Sequence, residues 1–184
     1  MNEAYTTEMV QFRRRIHKRP EEGWTEFETT WFITERLQKW GYQVYLGRQI
    51  IDKDSIRGRN EDWVKEAIDR ARAHRVPEDF LAKTENLTGC VGVLDTGREG
   101  PVVALRFDID ALPVHETDNP EHFPNQMGFR SKRDGFMHAC GHDCHTSIGL
   151  TVARWVSDHQ EHLRGKIKII FQPAEEGSRG ARTI

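Results

Sequence analysis

Apolar positions recur at helical spacing near the start of the chain and give way to short apolar runs further on. Residues 4–18 and 24–40 read as two helices, separated because Pro20 cannot continue a helix and Gly23 adds a second break. In the second helix Phe27, Trp31 and the run Ile33–Leu37 repeat on one side, and Gly41 stands where a left-handed cap belongs. Gln43–Leu46 is a short strand candidate. Residues 60–74 place Trp63, Ala67 and Ile68 on one side of a third, very polar surface helix. Gly89–Leu94 and Pro101–Phe107 are apolar runs joined by Asp95-Thr-Gly-Arg-Glu-Gly100, which predicts a β-hairpin. The second run is almost continuously apolar, as expected of a strand covered on both faces. Residues 111–137 hold Pro113, Pro120, Pro124, Gly128 and Gly135 without a period, so a long loop is expected, of the kind that often carries function. A helix follows from about His142 to His159, with Asp143 as its candidate cap. The strand Lys166–Phe171 comes next and leaves through the loop Gln172–Gly177. Helices and strands interleave, so the class is α/β.

Composition narrows the function classes. The 184 residues suit one domain, 36% hydrophobic and 30% charged, and the net charge of −2 gives no bulk attraction to nucleic acid or acidic membranes. No apolar run approaches the roughly 20 residues that span a bilayer. Met1–Val10 carries Glu3 and Glu8 and lacks an apolar secretory core, so no signal peptide is expected. The three cysteines, Cys90, Cys140 and Cys144, suit a reducing compartment, and a cytoplasmic protein is expected.

Three segments carry candidate chemistry, each beside a strand end or a helix start. Asp108 and Asp110 follow an apolar strand, and two residues apart in an extended segment they point the same way. A solvated strand end explains them equally well. His138, Cys140, His142, Cys144 and His145 offer imidazole and thiolate, ligands suited to zinc, with imidazole also suiting manganese or cobalt. Gly141 permits a sharp path between Cys140 and His142, so that both can face one ion. The bland alternative is a buried cysteine among surface histidines. Glu175 and Glu176 follow the last strand and suit a division of labour, one binding metal and the other handling protons. A solvated acidic turn is the alternative.

Four pieces, His17–Glu21, Ala104–Pro113, His138–His145 and Phe171–Gly177, together resemble the metal-dependent amidohydrolase and peptidase family of aminoacylases, hippurate hydrolases and auxin-conjugate hydrolases. The segment around Gly47–Glu85 and Leu94–Arg98 resembles its aminobenzoyl-glutamate hydrolase A-subunit branch. The resemblance implies a three-layer zinc-peptidase-like catalytic domain, its sheet flanked by helices and incomplete at the C-terminus. It implies Cys140, His142 and Glu176 as metal ligands, Glu175 as general base and Asp110 as the carboxylate orienting a ligand. His138 and His145 receive no role, and Cys144 departs from the small or non-thiol residue usual there. Two divalent ions, Mn or Zn, are implied per complete site. The implied substrate is a carboxylate-bearing amide such as an acyl-glutamate, and the implied assembly is a homodimer or a pairing with a related subunit. Family members run to roughly twice this length, with an inserted dimerisation domain and further histidine ligands. Residues 1–184 are therefore expected to be the N-terminal part of a catalytic domain, inactive and weakly metal-binding by themselves, with strand Lys166–Phe171 left short of partners. A non-catalytic metal-binding or interaction module is the second reading, and a cysteine hydrolase using Cys140 the third.

Overall fold

The computed structural model describes residues 3–184. Helices α1 (Glu3–His17) and α2 (Phe27–Lys39) lead into strand β1 (Gln43–Tyr45) and helices α3 (Glu61–Ala73) and α4 (Glu78–Thr84). Strands β2 (Cys90–Asp95) and β3 (Val102–Asp108) follow, then the short helix α5 (Phe123–Gln126), helix α6 (His142–Asp158) and strand β4 (Lys166–Gln172). The chain is α/β, a four-stranded sheet in the order β1-β2-β4-β3 with helices packed on it.

The predicted elements recur with small shifts at their ends. The break after α1 lets the Glu21 carboxylate turn back and accept from the amides of Glu28 and Thr29, at 3.2 and 2.9 Å, capping the first turn of α2. Gly41 follows the end of α2 in the left-handed region, φ 81°. In α3 the buried stripe is Val64, Ala67 and Ala71, whereas Trp63 faces outward, 51% exposed. Helix α4 has no counterpart among the sequence expectations.

The predicted hairpin does not form. Strand β4 enters between β2 and β3, antiparallel to β2 and parallel to β3. The turn opens to receive it: Thr96 N donates to Gly165 O at 3.1 Å, Gly165 N to Arg98 O at 2.9 Å and Lys166 N to Pro101 O at 3.1 Å. Gly165 makes this possible, because a Cβ there would run into the Pro101 carbonyl. As a result β4 is interior rather than short of partners. The apolar β3 is an edge strand, exposed from Val102 to Arg106, and not a strand covered on both faces.

Phe27, Ile33 and Leu37 of α2, Leu150 of α6 and Ile169 and Phe171 of β4 are fully buried and form the centre of the core. Gly149 brings α6 close to the sheet; a Cβ there would lie 2.6 Å from the Phe107 ring. This contact fixes the start of α6 against the ends of β3 and β4.

Candidate metal centre

Asp108 pairs with Gln172 where the parallel strands β3 and β4 end, so the chain leaves both strands at one edge of the sheet. Ile109 N donates to Gln172 O at 3.2 Å and keeps the two exits together. The N-terminus of α6 lies against the same edge, with Thr146 Oγ1 donating to the Asp108 carbonyl at 3.1 Å. Gly141 precedes that helix with φ 94°, a backbone state that reverses the chain between Cys140 and His142. Asp143 does not cap the helix; Gly141 holds the cap position, and the Asp143 carboxylate turns toward α1.

Here three segments distant in sequence converge. One ligand atom each from Cys140, His142 and Glu176 lie within 4.8 Å of one another. His142 Nδ1 is 3.0 Å from the Asp110 carbonyl oxygen and 3.3 Å from its Oδ1, and the carbonyl is the better-aligned acceptor. With Nδ1–H directed at Asp110, Nε2 points toward Glu175, 3.7 Å from its Oε2. Asp110 is 1% exposed and also accepts from Glu176 N at 3.0 Å, so one carboxylate fixes both His142 and the backbone that carries Glu176. Glu175 stays accessible, its side chain 38% exposed.

The donor set fits a divalent cation. Sulfur, imidazole and carboxylate converge, the imidazole is held by its other nitrogen, and buried Glu176 Oε1 has no hydrogen-bond partner among the described residues. Charge tells the same story. Burial opposes a charge on His142, but the Asp110 hydrogen bond and carboxylate override it and raise its pKa to about 9. The Cys140 thiol is also raised, first by its hydrogen bond to Glu176, then by burial and by the negative charge of Glu176. An excess of negative charge therefore holds protons where a cation would sit.

Around this cluster lies a second polar layer. His145 Nδ1 accepts from Asp108 N at 3.1 Å and lies 3.2 Å from Asp108 Oδ2, so Asp108 pairs with His145 and Asp110 with His142. Buried His17 sits between Asp143, 2.9 Å from Nδ1, and Glu116, 3.0 Å from Nε2, with His122 also 3.0 Å from Glu116. Burial works against charge on His17, but hydrogen bonds from both carboxylates raise its pKa. His138 is buried too, and neither ring nitrogen has a partner among the described residues. Burial pushes it down to about 4, so it is a neutral imidazole.

Glu116 and the buried Glu26 went unnoticed in the sequence, and His17 stood there without a role. His17 belongs to a recognisable motif, but its partners lie 99 and 126 residues away. Glu26 reads as an ordinary acidic residue at a helix start. Cys90 is separate from the cluster, fully buried in β2, with its thiol pushed up to about 12 by burial. Cys140, Cys144 and Cys90 are all free thiols.

Residues 104–184 match the model of peptidase family M20/M25/M40. The chain is 49% identical over 178 residues to an A-subunit homolog of p-aminobenzoyl-glutamate hydrolase from Haemophilus influenzae, covering 96% of this chain and 42% of that protein. The crystal structure of an aminobenzoyl-glutamate utilization protein from Klebsiella pneumoniae superposes with a TM-score of 0.76 at 40% identity, covering 96% of this chain and 39% of the other. A Bacillus subtilis protein described as a dinuclear metal binding peptidase of the M20 family superposes at 0.68 with 31% identity, covering 99% of this chain and 39% of the other. The chain thus spans about two fifths of the length of the relatives it matches.

Proposed function

This chain belongs to peptidase family M20/M25/M40, and on that premise we propose that it contributes the metal-binding segment of an amidohydrolase acting on an N-acyl or aminobenzoyl amino acid, such as an acyl-glutamate. The observation that carries the reading is the convergence of Cys140, His142 and Glu176 within 4.8 Å, beside an accessible Glu175. Cys140, His142 and Glu176 hold the cation, Mn or Zn, two of which occupy a complete site. When bound, it supplies Lewis acidity, polarising the amide carbonyl and acidifying water.

The chain's own groups do the rest. Glu175 takes a proton from the attacking water as the new C–O bond forms, and passes a proton to the amine nitrogen as the C–N bond breaks. Asp110 holds the His142 ring and the Glu176 backbone in place through both events. A cysteine-nucleophile route is disfavoured, because Glu176 keeps the proton on Cys140, whereas such chemistry needs a thiolate.

Residues 1–184 form the N-terminal part of the catalytic domain in this reading, and a dimerisation domain and further histidine ligands belong to the rest of such an enzyme. The working assembly is a homodimer or a pair with a related subunit; the Haemophilus relative, named as one subunit of its hydrolase, supports this. No described helix is long and apolar enough to cross a membrane, and with three free thiols the proposed compartment is the cytoplasm. For the 184-residue chain alone, a metal-binding module without turnover is the second reading, because only three donors converge among the described residues. The test is hydrolysis of p-aminobenzoyl-glutamate by metal-stripped protein, with and without added Mn or Zn. An enzyme containing this segment should depend on the added ion; full activity after stripping overturns the proposal.

A further inference from the structure

Glu26 is the most enclosed carboxylate near the candidate centre, with no measurable exposure. It stands at the cap position of α2 but makes no side-chain cap; its carboxylate turns inward instead. Oε2 accepts from the Thr88 hydroxyl at 2.6 Å, just before β2, and Oε1 accepts from Ala174 N at 2.8 Å, just after β4. Ala174 is fully buried and lies in the left-handed region at φ 50°, a state that a non-glycine residue keeps only when its surroundings enforce it. The enclosure is specific to this segment. A Cβ on Gly23 would lie 2.8 Å from Ala174 Cα, and one on Gly89 would lie 2.6 Å from the Pro173 ring.

From Ala174 the chain continues directly into Glu175 and Glu176. Asp110 takes the amide of Glu176 at 3.0 Å, and Glu26 takes the amide of Ala174 at 2.8 Å. Two buried carboxylates therefore grip alternate amides of one turn, with Glu175 between them. Burying a carboxylate without a cation is costly, and Thr88 or Ala174 alone would need only a neutral acceptor. The geometry points to Glu26 as a positioning residue: it fixes the Ala174 peptide so that Glu175 and Glu176 project together into the cluster with Cys140 and His142. The inference rests on the metal-centre reading for its purpose, but not for its geometry.

The test uses the 184-residue chain with Glu26→Asp, Glu26→Gln, Thr88→Val and the core control Ile33→Val. Glu26→Asp keeps the charge and shortens the reach by one methylene. Glu26→Gln keeps an acceptor for Ala174 and a donor for Thr88. Amide hydrogen exchange of the metal-free chain is read at Ala174 and Glu176, alongside melting temperature. Glu26→Asp should speed exchange at both amides at least tenfold beyond an Ile33→Val chain of similar melting temperature. Glu26→Gln and Thr88→Val should stay within about threefold of the parent. Zinc titration of the same proteins should show roughly tenfold weaker binding for Glu26→Asp alone. Glu26→Asp exchange no faster than in the core control overturns the inference, as does Glu26→Gln loosening the turn as much as Glu26→Asp. A parent chain that takes up no zinc while the exchange pattern holds overturns the metal reading and leaves the positioning role standing.

Discussion

At the scale of single residues, neighbouring carboxylates have separate tasks. Glu175 is accessible and Glu176 reaches the cluster with one unpartnered oxygen, so replacing them should have different consequences. In an enzyme containing this segment, Glu175→Gln should retain metal and lose roughly 10²–10⁴-fold in turnover, as removal of a general base does. Near-normal rates with intact metal content would sink the assignment. Glu21 and Glu26 illustrate burial instead. Burial, then the charge of Glu28, raises Glu21 to about 7, and the Arg70 guanidinium 3.5 Å away does not offset it. Burial, then the charge of Asp110, raises Glu26 to about 8. Both carboxyls bind protons more readily folded than unfolded. The stability they contribute is therefore full below their ordinary value of 4.5 and is lost as pH rises through about 7 and 8. The denaturation midpoint of the metal-free chain should fall across that window, and Glu26→Gln should flatten the decline; an equally steep decline in the variant would contradict this. The sequence displays Cys140, His142, Glu175 and Glu176 because their motifs are local. It hides Glu26 and Glu116, whose partners are brought to them only by folding.

At the scale of elements, helices were legible and strand partners were not. Helical periodicity in α1, α2 and α6 is a local property, and all three form close to their expected limits. Strand pairing is a choice among runs of similar composition. Asp95–Gly100 has the residues of a hairpin turn, yet β4 pairs with both β2 and β3, and only the fit of Gly165 against Pro101 shows why. The buried stripe of α3 was misplaced by one position, since Val64 and not Trp63 joins Ala67. Packing of α6 depends on one small residue. Gly149→Ala would press a methyl into Phe107 and Phe171 and should destabilise the chain by about 1–3 kcal/mol, the usual cost of overpacking. Because α6 carries His142 at its start, zinc affinity should fall in the same variant. Urea denaturation and zinc titration check both, and unchanged stability would mean that the helix is not seated as described.

At the scale of the whole molecule, the sheet ends in an apolar edge. Val102, Val103 and Leu105 of β3 are 60%, 45% and 36% exposed, and an open strand of this kind pairs readily with another chain. The 184-residue chain should therefore self-associate with rising concentration, and Leu105→Lys should reduce this; sedimentation showing a monomer at all concentrations would contradict it. None of this bears on the site as directly as the metal itself. Metal-stripped chain titrated with Co²⁺ should develop the sulfur-to-metal charge-transfer band of a bound thiolate. The band should be retained in Cys90→Ala, lost in Cys140→Ala and weakened in His142→Ala, because Cys90 is sealed in β2 and the other two converge with Glu176. A band that survives Cys140→Ala, or no cobalt binding at all, would contradict the account.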